Sequence, residues 1–511
     1  MGMTRTYDRN RNSAAQIASA KGKAITRPRA ALPVLDGGVS ALRSGSGEEP
    51  LRGMSTLSIV SSDLLPWYRK KHPSPSNVKA PAATRTALSP STGRTRTARR
   101  LARYPVWATA LAFIGLLFPK LALAQSDEVV TPVELFDPDA GEGVRLSPAF
   151  ILYPQATAEF TYDTNIYNFD TLVEDDALVS LRPRMVVRSD FSRHELRLEA
   201  GADIRRYFDI SNENSEQYWA NARSLLELGS AINVEAFAGY ARGIERRGTA
   251  GDALFTDSPV VFHDKAASIE ISRAGNRLEI GLGGSFLKRD YEDAAIAGVP
   301  IDLEFRDVRV SRVQARADLR LSAKTEVFGE VGLRALDYDI VSDPVRDSDG
   351  FYGLVGVSHE LSELLEIEAA VGYLQQDFDD PRFETAKEMN YRLEARWTPK
   401  PDWRFTARAA RDVDPSRVRQ SAAVIASSFR LTAEHAVGDR LLLAADAQYL
   451  EEDYRGQLRE DRRITLGTSA TYRLADRIGL TAGVSYRDQD GGDFGRSYDG
   501  FAFSIGVRAS W

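Results

Sequence analysis

The sequence predicts an all-β protein whose strands close into a transmembrane antiparallel up-and-down β-barrel. Three observations point to this class. Apolar and polar residues alternate in segments of about ten residues, the connections between segments alternate between short and long, and the polar faces are rich in Arg and Glu. A helical membrane protein is excluded, because it needs several apolar runs of about 20 residues and the chain contains only one, shorter run.

The alternation is clearest at residues 312–321, "RVQARADLRL". It recurs at 390–397 and 463–473. In residues 312–321 the apolar face carries Val313, Ala315, Ala317, Leu319 and Leu321, and the polar face carries Arg312, Gln314, Arg316, Asp318 and Arg320. A strand of this kind fits a barrel wall with lipid outside and water inside.

The connections give the strand number and the orientation. Short turns are predicted at 190–193, 229–231, 274–276, 322–324, 361–363, 399–401, 437–439 and 474–476. The long connections between them are acidic, as in "QQDFDDPRFE" and "YLEEDYRGQLRED". In outer-membrane barrels the short turns are periplasmic and the long loops face outward. We predict about 18 strands, with 16 as the alternative because 350–360 and 418–436 alternate poorly.

A soluble β-sandwich is the competing architecture, since it also uses short alternating strands. Its turns would not alternate so regularly in length, and its inner faces would carry larger side chains. The apolar faces of this chain consist mainly of Ala, Val and Leu, which suits packing against lipid. Closure into a barrel also removes the sheet edges, as lipid requires.

The N-terminal region divides into a leader, an export signal and a short linker. Residues 1–93 have no sustained periodicity and are expected to be a disordered leader, either an extension or the result of a start site assigned too early. Residues 94–124 combine a basic flank, an apolar core of about 13 residues and the small residues Ala122 and Ala124 before Gln125, as a signal peptide does. A transmembrane anchor would need a longer core. Residues 125–145 form a short acidic periplasmic segment, and 146–511 form the barrel.

The residue inventory disfavours an enzyme. The chain has no cysteine, and it lacks the G-x-S-x-G, H-E-x-x-H and P-loop patterns. Only His263 is expected near the outer loops, with Asp257, Ser258 and Asp264 close in sequence. We therefore predict no catalytic, cofactor-binding or metal-binding residues. Nucleic-acid binding is disfavoured, because the mature region has no basic block.

Charged residues at alternate positions are the candidates for lining the lumen. Near the membrane midplane a basic side chain facing lipid would cost about 2–4 kcal/mol, so these side chains are expected to face water. Either they set solute selectivity, or neighbouring Arg and Glu merely satisfy one another around the wall. The candidates are Arg312, Arg316, Arg320, Glu326, Glu330, Arg334, Arg392, Glu394, Arg396, Arg404 and Arg408.

The chain ends on "FAFSIGVRASW", with strict alternation up to Trp511. This last strand is expected to close the barrel against the first strand near "ATAEFTYD". An aromatic final residue resembles the signal by which barrels are recognised for insertion. Trp511 is therefore predicted to be both an interfacial anchor and an assembly signal.

The first strand reads Asp163-x-Asn165-Ile166-Tyr167 and is followed by "LRPRMVV". With the overall layout, this stretch resembles the putative β-barrel porin 2 family of Gram-negative outer-membrane proteins, over about 148–511. The resemblance implies an outer-membrane barrel, sometimes linked with surface polysaccharide production. It brings no catalytic residues with it.

Passage of a hydrophilic solute through a polar lumen is the function these features favour. Export of a surface polysaccharide, a non-conducting structural barrel and a barrel enzyme acting on lipid or lipopolysaccharide remain alternatives. The expected partners are outer-membrane lipid, lipopolysaccharide and the barrel-assembly machinery, with polysaccharide as a further candidate.

N-terminal sequencing of the exported protein tests the signal. We expect the mature chain to begin at Gln125, because Ala122 and Ala124 form the small-residue cleavage site. A mature chain that begins upstream of Gln125 would contradict this assignment.

Overall fold

The computed structural model describes residue 136 and residues 143–171, 173–229, 231–250, 255–341, 343–362, 364–492 and 495–511. Short 3-10 turns lie at Ser211–Glu213 and Glu304–Arg306. The strands are β1 (Val144–Ser147), β2 (Phe150–Asp163), β3 (Asp176–Ser189), β4 (Glu195–Tyr207), β5 (Ser215–Leu228), β6 (Ile232–Ile244), β7 (Val261–Ala274), β8 (Leu278–Tyr291), β9 (Ala294–Ile296), β10 (Val299–Ile301), β11 (Val308–Ser322), β12 (Thr325–Tyr338), β13 (Ser348–Ser362), β14 (Leu365–Phe378), β15 (Ala386–Trp397), β16 (Trp403–Pro415), β17 (Ala423–Val437), β18 (Leu441–Tyr454), β19 (Glu460–Ala475), β20 (Ile478–Asp490) and β21 (Tyr498–Ser510).

Eighteen of these strands, β2–β8 and β11–β21, form a closed antiparallel barrel. The last strand closes on the first, with Gln155–Asp163 paired to Ala502–Ser510. The prediction of 18 strands is confirmed, and the eight predicted short turns fall between consecutive strands at one end. We call the end with the long loops the outer end and the end with the short turns the periplasmic end.

The two faces of the wall differ as a lipid environment requires. Outward residues are small or aliphatic and exposed, such as Val331 (61%) and Leu333 (65%). Exposed Tyr162 and Tyr373 lie toward the outer end of their strands. Trp403 stacks on His435 at the periplasmic end, with ring centres 4.0 Å apart. Among the described residues, no helix is long and apolar enough to cross a membrane.

The chain before the barrel touches the periplasmic end of the inner wall. Phe136 packs against Ala436 and Leu442, and the guanidinium carbon of Arg473 lies 5.9 Å from the centre of its ring. β1 then pairs with the start of β2. Phe136 of the predicted linker therefore packs on the inner wall.

The β16–β17 hairpin separates from β15 at the outer end of the wall but stays joined to β18. β15 pairs with β16 only over Arg392–Trp397, whereas β16 pairs with β17 along its full length and β17 pairs with β18 over Val424–Val437. Beyond Ala410, β16 turns from β15 into the barrel, while β17 keeps its pairing with β18. Residues 421–427 are buried without interruption, so both faces of this part of the hairpin are covered.

The face of this hairpin that would contact lipid packs instead on the inner side of the wall. Val413, Ala423 and Ile425 form one apolar cluster with Leu374 and Ala386 of β14 and β15. A strand buried on both faces does not need strict alternation. Burial on both faces therefore accounts for the irregular pattern at 418–436, which is one of the two reasons for the alternative of 16 strands.

Removing Trp511 should reduce assembly more than it changes any pore property. Its backbone N–H donates to the carbonyl of Pro154 at 3.1 Å, at the seam where the barrel closes. We expect less folded barrel in isolated outer membranes for the truncated chain and normal amounts for Trp511→Phe. Normal membrane levels of the truncated chain would contradict the assembly role.

Candidate functional site

Ion pairs between strands that are not neighbours show which side chains face the lumen. Arg316 Nη2 lies 3.1 Å from Glu368 Oε2, although β11 and β14 are three strands apart. Arg312 Nη2 lies 2.8 Å from Asp412 Oδ2, although β11 and β16 are five strands apart. Such pairs can meet only across the inside of a closed wall.

Five inward side chains form a charged cluster at mid-height. Arg392 Nη2 lies 2.9 Å from Glu330 Oε2 and 3.5 Å from Glu368 Oε1. Arg316 lies 3.8 Å from Glu330 and also contacts Asp318 at 2.8 Å. Glu330 is almost fully buried, so its charge depends on these two guanidinium groups.

The inward hairpin is held to the opposite inner wall through Asp412. Its two carboxylate oxygens lie 2.8 Å from Arg312 and 2.6 Å from Arg334. Arg334 also donates to the backbone carbonyl of Val413. Two arginines from β11 and β12 therefore fix the hairpin where it crosses the lumen.

The hairpin tip reaches the far side of the barrel. Arg417 pairs with Glu245, which follows β6, and both side chains are almost fully buried. Arg346 donates to the carbonyl of Ser416 at 3.0 Å and lies 3.9 Å from the ring centre of Tyr338. Arg346 lies in the loop before β13, and burial lowers the pKa of its guanidinium. The tip thus spans the outer mouth between nearly opposite strands.

Inward charged pairs differ in exposure between the middle of the wall and the hairpin tip, although Arg404 and Glu434 near the periplasmic end are also only 10% and 7% exposed. The side chains of Glu394 and Arg408, which pair at 3.1 Å, are 52% and 46% exposed. Those of Arg417 and Glu245 are 1% and 0% exposed. We call the space beside Glu394 and Arg408, below the hairpin, the vestibule, whereas the hairpin fills the lumen at the level of Arg417 and Glu245.

The remaining predicted lumen residues line the lower wall. Arg320 pairs with Glu326 at 2.9 Å, and Arg404 pairs with Glu434 at 2.5 Å, in both cases between adjacent strands. Arg396 stands opposite Glu366 of β14. Ala122, Ala124 and Gln125 lie outside the described residues, so the cleavage site stays a prediction.

Sequence reasoning missed the partners on the hairpin and in the loops. Asp412, Arg346, Arg417 and Glu245 lie where the alternation breaks or in loops, and only the irregular pattern near 418–436 marked that region. The inner face is also not polar along its whole length. Its upper part carries apolar clusters, one of which contains Val308, Val310, Leu336 and Tyr338.

Two clusters at the outer rim do not resemble a reactive centre. His263 contacts Tyr240 and Glu292, both at 2.8 Å, whereas Asp264 is buried against Arg289. Both ring nitrogens of His263 are therefore engaged in hydrogen bonds.

The carboxylates of Asp290, Asp307 and Asp339 lie within 4.8 Å of one another. Burial raises the pKa of Asp307 to about 6. Lys288 already lies 2.9 Å from Asp290 and 3.3 Å from Asp339, so a lysine offsets this acidic charge.

Similar proteins were found among families and solved structures. The chain is similar to the copper transporter OprC at 9% identity, covering 73% of this chain and 82% of that one, with a TM-score of 0.41. It is similar to a BenF-like porin from Pseudomonas fluorescens Pf-5 at 11% identity, covering 70% and 98%, with a TM-score of 0.37. No curated protein sequence matches it. A family model described as putative beta-barrel porin 2 matches residues 138–511, which include all the barrel strands.

Substitution of Glu330 tests the charged cluster. Glu330→Ala removes the buried carboxylate that Arg316 and Arg392 share, and loss of one partner from a buried pair costs about 3–5 kcal/mol. Because Arg316 keeps Asp318 and Arg392 keeps Glu368, we expect the lower end of this range. The matched change Glu394→Ala removes a half-exposed pair and should cost at most about 1 kcal/mol. The free energy of unfolding, measured by urea titration in lipid vesicles, should separate the two variants. Equal losses would contradict the arrangement described above.

Proposed function

The chain belongs to the putative beta-barrel porin 2 family, and on that basis we propose that this porin-like outer-membrane barrel gives a hydrophilic solute passage through its lumen. The observation that supports the proposal most strongly is the charged vestibule. Half-exposed pairs such as Glu394 and Arg408 line this space below the hairpin. A barrel of 16–18 strands encloses enough room for an aqueous channel.

We further propose that the passage discriminates little by the sign of the solute's charge. The 11 predicted lumen residues comprise eight arginines and three glutamates, which taken alone would favour anions. The carboxylates that accompany them, among them Asp412, Glu368, Asp318 and Glu434, offset much of that charge. Pairing among neighbours is therefore compatible with a conduit that accepts polar solutes in general.

In the conformation described above, the hairpin obstructs the outer mouth. Passage then requires that the hairpin move or that its tip be removed. The Arg417–Glu245 pair and the contacts of Asp412 hold it in place, so we expect the open state to be the minor one.

Planar-bilayer recording of the purified barrel tests this function. We expect rare, brief openings for the full chain and sustained conductance when 416–422 are replaced by a two-residue Asn-Gly turn, because the tip no longer spans the mouth. The control is Ala297→Asn, which creates the same Asn-Gly pair with Gly298 in the turn between β9 and β10 and should leave conductance unchanged. Reversal potentials in salt gradients should show weak ion selectivity.

The competing classes make different predictions. A folded barrel that stays silent even without the hairpin tip would exclude passage and favour a structural barrel. Strong selectivity for anions would contradict the proposed balance of charge.

A further inference from the structure

Among the residues that the structure describes, the outer half of β15 has a strand partner on one side only. Residues 386–391 pair with β14, whereas pairing with β16 covers only Arg392–Trp397. Residues 411–415 of β16 pair with β17 and no longer with β15. The ladder between β15 and β16 therefore stops halfway up the wall.

The alternation of hydrogen bonds shows which groups this leaves on the edge of β15. Thr398 N donates to Leu364 O, so the even-numbered residues of β15 bond to β14. The odd-numbered residues Met389 and Tyr391 then point their backbone N–H and C=O groups toward the side where β16 would continue. This edge presents the groups with which a further strand would pair, in a defined register.

The outer half of β16 carries the complementary groups. Ala436 N donates to Asp402 O, so the even-numbered residues of β16 bond to β17. Arg411 and Val413 therefore direct their backbone groups away from β17. If the existing register continued, Arg411 would stand opposite Tyr391, and Val413 opposite Met389.

Side chains take the place of the missing strand in the inward position. Val413 N donates to Asp412 Oδ1 at 2.8 Å, and Val413 O accepts from Arg334. The backbone groups that β15 would satisfy are thus satisfied by side chains of the lumen. The hairpin has one set of partners inside the barrel and a second, vacant set in the wall.

We propose that the outer edge of β15 is the docking site of the outer half of β16 from the same chain, so that the hairpin has two positions. In the inward position it closes the mouth. In the outward position β16 pairs with β15 along its whole length and clears the lumen. The consequence for solute passage rests on the proposed function, whereas the second position does not.

Several contacts favour the inward position. Docking in the wall would place Asp414 opposite Glu388, and like charges directly opposite each other are destabilising. It would also turn Arg411 from Glu388 toward the membrane surface. The outward position is therefore expected to be the minor one.

The gap between β15 and β16 lies toward the outer end of the barrel, and at this depth a movable strand edge is compatible with a membrane. Met389 pairs with Tyr373, one of the exposed aromatic residues toward the outer end. Unpaired backbone groups are not tolerated in the hydrocarbon core, but at the interface water can bind them. The seam also holds polar groups, since the guanidinium carbon of Arg411 lies 5.5 Å from the ring centre of Tyr391.

A disulfide between β15 and β16 tests the second position. Asn390 and Asp412 would form a non-hydrogen-bonded pair there, with Cα atoms about 4.5 Å apart, within the range that a disulfide bridges. The chain has no cysteine, so Asn390→Cys with Asp412→Cys creates a single possible bond. The control is Ala395→Cys with Ala407→Cys, an outward-facing pair lower in the existing ladder.

We expect both pairs to oxidise in the full-length barrel, as judged by gel mobility with and without reductant. Locking a state that is normally populated at about 0.1–10% should raise the conductance of the oxidised Asn390/Asp412 variant about ten- to a thousandfold above that of the full chain. Reductant should lower the conductance again but not to the value of the full chain, because Asp412→Cys also removes the contacts with Arg312 and Arg334. The control pair should leave conductance unchanged.

The outcomes separate this proposal from the proposed function. If only the control pair oxidises, the outward position does not exist and the proposal is overturned. If the Asn390/Asp412 pair oxidises but conductance stays at zero, the docking edge stands and passage through the lumen fails. If the variant with 416–422 replaced conducts while the oxidised variant does not, β16 docking does not clear the mouth and the gate is overturned.

Discussion

The structure depends on one constraint: a sheet that crosses a membrane must satisfy its own backbone hydrogen bonds, because the hydrocarbon core supplies no partners. Closure of β21 on β2 removes the two edges that an open sheet would expose. The same constraint restricts any departure from the ladder to the ends of the strands. The one long gap, between β15 and β16, lies toward the outer end, and the side chains of Asp412 and Arg334 satisfy the backbone groups of Val413 there.

Closure also decides where charge is placed. Once alternate residues face lipid, every Arg and Glu of the opposite parity is confined to the lumen. Near the periplasmic end these groups are partly hydrated and pair with adjacent strands, as Arg320 does with Glu326. Higher in the barrel the hairpin displaces water, and pairing extends across the lumen, as between Arg312 and Asp412. The lumen is therefore more hydrated beside Arg320 and Glu326 than beside Arg312 and Asp412.

The β16–β17 hairpin depends both on strand pairing in the wall and on the placement of charge in the lumen. Its former lipid face, with Val413 and Ile425, packs on the inner side of β14 and β15, and this requires apolar inner residues such as Leu374. Its tip requires a counter-charge on the far side, which Glu245 provides. The open or closed state of the barrel thus depends on a balance between packing inside the lumen and strand pairing in the wall.

The sequence by itself determined the barrel, its 18 strands, the short turns and the inward parity of the charged residues, because each of these follows from a local period of two. It also marked 418–436 as irregular, although it offered no reason. Only the tertiary structure decided that Arg312 and Arg334 share Asp412, that Arg417 meets Glu245, and that the hairpin lies inside. These contacts join strands up to eight positions apart around the barrel, and a local alternation pattern carries no information about which residues face each other across a lumen.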